Sequence, residues 1–348
     1  MTVSASLVLV AASTASLGLA LALAPSAASR RYLFVRGATG LVAMAAMAIA
    51  PSLDLVILIL LATAVLHSAL GGARSVASDL QAPVVAVGLL ALTLMFVRVQ
   101  GPDMLGRFAA VGLVAGVAAA VGLLPYMHRL EPGEDRTESA FVWVGFVGPV
   151  LAATVLLRSG EFLPPNVGGY LGSMLIGVGL LNVLWGTVAA RWTPANRSAW
   201  HYSFMADWGL ALCGFGLFIS DGQSAALLIL VGIVLGRFPL LIASHETKDR
   251  ESAVDRPISL LTAAMLAGVA PFAGFAARIL LLRGATQLFW PLAVALAVGM
   301  LLWLPSSLRL GRSIGPLRGR RVIALGILLG INVAVGLYPL PLLSLAQL

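Results

Sequence analysis

The chain has 348 residues, of which 60% are hydrophobic and only 10% charged, and its mean hydropathy is +1.00. An ordinary soluble domain carries roughly 25% charged residues, so the composition excludes a water-soluble enzyme built around one core, a disordered chain and, with Cys213 as the single cysteine, a disulfide scaffold. The formal charge of +8 would suggest nucleic acid for a soluble protein, but here the basic residues fall in short loops between apolar runs; they report membrane topology, and no nucleic-acid partner is expected.

Twelve apolar runs are long enough to cross about 30 Å of hydrocarbon. In chain order they are Val3–Ala24, Leu33–Ala50, Leu53–Leu70, Ala82–Val97, Met104–Met127, Ser139–Leu157, Tyr170–Ala190, Ala199–Ser220, Gln223–Ser244, Ile258–Leu282, Thr286–Leu304 and Val322–Leu343. The fold class expected is therefore an all-α polytopic membrane protein. The first run ends in Ala-Pro-Ser-Ala-Ala-Ser, as a cleaved leader would, but no basic segment precedes it; it is read as a span. The longest polar stretches, His128–Glu138 and His245–Arg256, mix charge signs and are read as solvated loops.

Orientation follows from Lys and Arg. With those near a span end counted to the adjoining loop, sixteen of the 22 basic residues belong to loops after odd-numbered spans and five to loops after even-numbered ones, and Arg237 lies in the middle of the ninth. The odd loops are expected on the cytoplasmic side of an inner-type membrane, with both termini outside. Only one basic residue is a lysine, Lys248; the rest are arginines, which keep their protons.

Small residues four apart, Gly112, Gly116 and Ala120 in the fifth span and Gly326 and Gly330 in the twelfth, predict faces where helices approach closely. No glycine-rich nucleotide loop and no metal-ligand cluster is visible, so neither a cofactor nor a catalytic centre is expected in this chain.

Ionisable groups inside spans are costly and mark functional candidates. Asp207 lies two turns into the eighth span, Arg237 in the middle of the ninth and Arg278 late in the tenth; His67 and His201 sit near span ends, and Asp54 at the outer start of the third. Each has a plainer reading: Asp207 as the partner of a nearby arginine, the arginines as counter-charges or as side chains reaching an interface, the histidines as helix caps. Two histidines at similar depth also leave open a haem-binding anchor.

Proline adds a second signal. Pro125 falls near the end of the fifth span, and Pro271 falls inside the tenth, flanked by Gly268 and Gly274. Proline removes a backbone donor and clashes with the preceding turn, and a break at membrane depth survives only where protein or water satisfies the freed groups. The two breaks lie five spans apart on helices of opposite direction. That pattern predicts two inverted five-helix repeats, at 33–158 and 159–306, flanked by an N-terminal helix (1–32) and a C-terminal loop and helix (307–348).

These residues carry a family resemblance. Leu266-Ala-Gly-Val-Ala-Pro-Phe-Ala-Gly-Phe-Ala-Ala-Arg278 resembles the broken-helix motif, roughly Leu-Ala-Gly-Ile-Pro-Pro-x-Ala-Gly-Phe-x-x-Lys, of the antiporter-like subunits of respiratory complex I, Mrp antiporters and energy-converting membrane hydrogenases. Arg197-Ser-Ala-Trp-His-Tyr-Ser-Phe-Met-Ala-Asp-Trp-Gly209 resembles the family segment Lys-Arg-Leu-Leu-Ala-Tyr-Ser-Ser-x-x-His-x-Gly, keeping Tyr202, Ser203 and Gly209. Gly122-Leu-Leu-Pro125-Tyr-Met-His128-Arg-Leu-Glu-Pro132 resembles the Pro-x-His-x-Trp-Leu-Pro segment closing the first broken helix, with His128 displaced by one position, and Trp185-Gly186 fits the helix before the Tyr-Ser segment. The family core has a pair of helices more than the twelve read here.

The resemblance implies a non-catalytic membrane subunit of a complex I-like assembly, serving as scaffold or as a reduced H⁺ or Na⁺ translocation module. Its partners would be other membrane subunits, with redox chemistry on peripheral ones. A membrane subunit of an ion-coupled uptake system or of an Mrp-type cation/proton antiporter is the alternative. The implied ion-path residues are Arg197, His201, Tyr202, Ser203, Asp207, Arg237 and Arg278. The departures are as informative. Pumping members place a buried Glu in the third span, where this chain has no acid between Asp54 and Asp79, a buried lysine where it has Ala119 and Ala120, and a lysine or histidine in the region of Val150. Only the last family cation is retained, as Arg278. The first half is therefore expected to lack switchable charge.

Overall fold

The computed structural model describes residues 2–71, 76–99, 103–126, 143–244, 257–314, 317 and 319–346. Every regular element among them is helical. The first five helices follow the predicted spans: α1 (Thr2–Leu23), α2 (Ala27–Ile49), α3 (Leu53–Gly71), α4 (Val76–Arg98) and α5 (Asp103–Val121). A π-helical turn, Trp143–Val147, leads into α6 (Gly148–Leu157), followed by α7 (Gly168–Trp192) and α8 (Asn196–Gly216). The ninth span is α9 (Ser220–Gly232), a second π-helical turn (Ile233–Arg237) and α10 (Phe238–Ala243). The tenth is split into α11 (Pro257–Ala267) and α12 (Ala273–Leu288); α13 (Trp290–Arg312), α14 (Arg320–Leu337) and the short α15 (Leu340–Leu345) complete the chain. The polar stretches around His128 and His245 lie outside the described residues.

Among the described residues, nine helical stretches are long and apolar enough to cross a membrane, which makes the chain an integral membrane protein. The departures from that pattern have physical reasons. α8 has the length but carries Arg197, His201 and Asp207; from Ala199 to Leu217 only Tyr202 and Asp207 are not fully buried, so protein rather than lipid surrounds it. α11 and α12 are each too short because the helix is interrupted. The sequence-based boundary between the tenth and eleventh spans needs correction: α12 continues to Leu288, and α13 begins at Trp290, with Pro291 in its first turn, where a missing N–H costs nothing.

α1 packs one face against α2, α6, α10 and α14. Ser6 Oγ pairs with Thr154 Oγ1 at 3.0 Å, and Ser16 Oγ donates to the carbonyl of Val234 at 2.6 Å. The latter contact falls in the π turn, where one backbone carbonyl is shifted out of the helical ladder and needs another donor. Phe146, within the first π turn, and Phe238, just after the second, stack at 5.3 Å.

Glycine sets how closely α7 and α8 meet. A Cβ at Gly172, Gly179 or Gly186 would stand 2.6, 2.6 and 2.7 Å from the carbonyl oxygens of Gly216, Gly209 and Tyr202. The spacing of seven keeps all three on one seam of the helix. In the fifth span the expectation holds: a Cβ at Gly112 or Gly116 would meet Thr93 or Leu90 of α4. In the twelfth it does not. Gly326 and Gly330 face open space, so they mark no helix contact.

Arginines close several helix ends. Arg158 donates to the carbonyls of Ala50 and Pro51 after α2, and Arg309 to those of Ala190, Thr193 and Pro194 at the end of α7. Arg321 does the same for Ala24 and Pro25 after α1. Helix C-termini carry unsatisfied carbonyls and partial negative charge, which guanidinium groups complement. Part of the basic excess is thus spent on helix ends.

Candidate functional site

The two glycine–proline breaks share one backbone solution. At Gly268 the φ angle is +62° and at Gly122 it is +72°, a region open to glycine at little cost. Gly268 N–H donates to Met265 O and Val269 N–H to Ala264 O; Gly122 N–H donates to Ala119 O and Leu123 N–H to Ala118 O. Phe272 N–H then returns to Val269 O, as Tyr126 N–H returns to Leu123 O. Both helices therefore end in the same glycine-terminated Schellman arrangement, and both following X–Pro bonds, Leu124–Pro125 and Ala270–Pro271, are cis. Gly274 is required for a different reason: its Cβ would lie 3.0 Å from Gly268 Cα across the break.

The breaks differ in what satisfies them. At the first, Asn182 of α7, fully buried, accepts the N–H of Leu124 at 3.0 Å and holds itself in place by donating to Val178 O. At the second, the freed carbonyl of Leu266 accepts from Trp303 Nε1 at 2.9 Å and from Arg237 Nη2 at 3.4 Å. α11 is about 16 Å long, half a bilayer core, so this break brings a charged donor deep into the bundle.

Arg237 ends the π turn of the ninth span and is 3% exposed. Its Nε is ion-paired with Asp207 Oδ2, and its guanidinium lies 4.8 Å from the centroid of Trp303. The plain reading of Asp207 as partner of a nearby arginine is thus correct, and the partner is Arg237. Arg278, one turn into α12, places its guanidinium against Gly268; a Cβ there would meet Arg278 Cζ at 2.7 Å. Asp207, Arg237 and Arg278, with Asn332 of α14, line one cavity of about 40 Å³, walled by Leu228, Ile229, Met265 and the glycines at 232, 236, 268 and 274. By volume it holds about three water molecules.

The remaining sequence candidates lie apart from that cavity. Arg197 is half-buried in the first turn of α8. His201 is buried and meets the Tyr202 ring edge-on at 5.9 Å, and Ser203 Oγ donates back to Trp200 O of its own helix. His67 is buried, with Nε2 3.0 Å from Thr39 Oγ1. Asp54 pairs with Arg98 at 2.8 Å on an exposed surface, as its place at the start of α3 implied. No group of three or more potential metal ligands occurs among the described residues. Asn182, Trp303 and Asn332 were missed by motif reasoning. Their one visible signal was an amide or an indole N–H inside a span that needs neither for lipid.

In the first half, Ala119, Ala120 and Val150 are buried in apolar packing with at most 1% exposure.

No family model and no curated protein sequence matches this chain. Solved structures do. A chain of the membrane-bound sulfane sulfur reductase, an archaeal respiratory membrane complex, superposes with a TM-score of 0.77 at 16% identity, covering 96% of this chain and 64% of that one. A chain of the Mrp complex from Dietzia sp. DQ12-45-1b gives 0.76 at 15% identity, covering 99% and 44%. A chain of respiratory complex I from Thermus thermophilus gives 0.75 at 15% identity, covering 99% and 84%. This chain has the fold of an antiporter-like membrane subunit. It spans less than two thirds of the first two of these chains.

Proposed function

We propose that the chain is a non-catalytic membrane subunit of a multisubunit, complex I-like ion-translocating assembly, and that its second half alone forms a reduced ion-translocation module. The observation that carries this reading is the cavity at the second break, where Asp207, Arg237 and Arg278 meet in a space large enough for water. A part-buried carboxylate beside guanidinium groups, in a space that admits water, is a place where charge can be compensated as an ion passes.

The first half supports the asymmetry. Where the resembling family places a lysine and then a lysine or histidine, Ala119, Ala120 and Val150 fill the space with methyl and isopropyl groups. No proton carrier is present at those positions, so the break at Gly122 serves packing through Asn182 rather than conduction.

Two inverted five-helix repeats, over 33–158 and 159–306, underlie this arrangement. Their support is paired geometry. The hydrogen-bond pattern at Gly122 recurs at Gly268. Arg158, just after α6, closes the end of α2; Arg309, in the last turn of α13, which runs past position 306, closes the end of α7. In this reading twelve spans cross an inner-type membrane with both termini outside, and redox chemistry belongs to peripheral partner subunits. An Mrp-type antiporter setting is the second reading, favoured by the equally good superposition on the Mrp chain.

The test is purification of the tagged full chain from its native membranes in mild detergent, followed by native mass spectrometry. Membrane subunits together with redox-cofactor subunits are expected. Membrane subunits without any redox partner would favour the antiporter setting, and a chain that migrates alone would overturn both.

A further inference from the structure

The charges around the second break do not balance. Among the residues lining the cavity, one carboxylate, Asp207, stands against two guanidinium groups, Arg237 and Arg278. Arginine does not release its proton in proteins, so the imbalance cannot be removed by titration. Asp207 is engaged by Arg237 Nε, and no carboxylate among the described residues pairs with Arg278. An uncompensated charge in a low-dielectric interior is costly, and the Trp303 ring and the Leu266 carbonyl relieve the cost only in part.

The donors converge. Arg237 is 97% buried, and its Nη1 has no hydrogen-bond acceptor among the described residues. Asn332, on the same cavity, uses one amide hydrogen on Leu328 O at 3.0 Å and retains a second donor. The sixteen-residue helix α12 begins at Ala273, and its second residue, Gly274, lines the cavity, so the positive end of its dipole faces the same space.

We propose that this cavity is a buried binding site for a small monovalent anion of the halide class, held between Arg237 and Arg278. The volume of about 40 Å³ admits an ion of that size with little accompanying water. The bound ion neutralises the lining and fixes the arginines on either side of the break. The site depends only on charge and space, and it stands whether or not any ion crosses this subunit.

The test measures binding rather than transport. The unfolding midpoint of the purified full chain in lipid nanodiscs is titrated with sodium chloride and, at equal ionic strength, with sodium gluconate. A saturable rise with chloride and none with gluconate is expected. Arg278→Gln leaves a neutral lining and abolishes the chloride-specific rise, whereas Asp207→Asn leaves two cations and tightens the apparent chloride affinity at least tenfold. An arginine with a purely structural role would lower the midpoint equally in both salts. Equal responses to the two salts in the wild type, or an undiminished chloride response in Arg278→Gln, overturns the site. Should Arg278→Gln not fold, unchanged chloride affinity in Asp207→Asn overturns it equally.

Discussion

Asp207 and Arg237 illustrate how a single buried pair behaves when one member is removed. Replacing Asp207 by Asn keeps its volume but leaves a permanent cation with 3% exposure and no carboxylate opposite it. Loss of one partner of a buried pair costs about 3–5 kcal/mol, more than the pair is worth against a neutral substitute. Asp207→Asn in chloride-free buffer should therefore lower the unfolding midpoint markedly. The double variant Asp207→Asn/Arg237→Gln should recover part of the loss, because it removes the orphaned charge as well. A double variant no more stable than the single one would show that the pair is not the dominant contact of either residue. The sequence made Asp207, Arg237 and Arg278 visible as costly charges in apolar spans. It did not show that they meet. The family resemblance implied Arg197, His201, Tyr202 and Ser203 beside Asp207, whereas the cavity takes one polar side chain each from α8, the π turn, α12 and α14.

Helix-level features divide by how strongly solvent constrains them. A helix facing lipid must be apolar, which is why the positions of α1–α5 were readable from hydropathy. Helix contacts are harder to read, since lipid and helix interior are equally apolar. Small residues four apart pointed correctly to Gly112 and Gly116 but wrongly to Gly326 and Gly330, and the seam of Gly172, Gly179 and Gly186 passed unnoticed among 37 glycines. The π turns were equally hidden, because one inserted residue shifts the side-chain register without altering composition. The seam offers a direct comparison. Gly209→Ala would place a methyl carbon 2.5 Å from Gly179 O and 2.7 Å from Val183 N, both backbone atoms that cannot turn aside. Overpacking of this kind costs about 1–3 kcal/mol and should move α8, and Asp207 with it. Gly326→Ala adds its methyl to open space and should be neutral or stabilising by about 0.5–1 kcal/mol. Thermal melts of the two variants in one detergent check the difference; equal effects would mean that the α7–α8 seam tolerates separation.

At the scale of the molecule, fold and charge distribution tell different stories. Both halves carry a glycine–proline break with the same hydrogen bonding, so the backbone is alike at these two turns. The chemistry around them differs, because among the described residues the charged cluster lies at the second break, while Ala119, Ala120 and Val150 are buried in the first half. The composition anticipated this: one lysine in the whole chain leaves little means of carrying protons on amines. What the composition could not supply was the destination of the arginines, several of which close helix ends while two meet at the cavity. The most direct test is ion movement per turnover in the intact assembly, sealed into vesicles, comparing the wild type with Asp207→Asn, Arg278→Ala and Val150→Ala. Ion movement should fall several-fold in the first two variants, with the assembly still complete, and stay at the wild-type level in Val150→Ala. Undiminished movement in both Asp207→Asn and Arg278→Ala would contradict a conducting second half and leave the chain a scaffold.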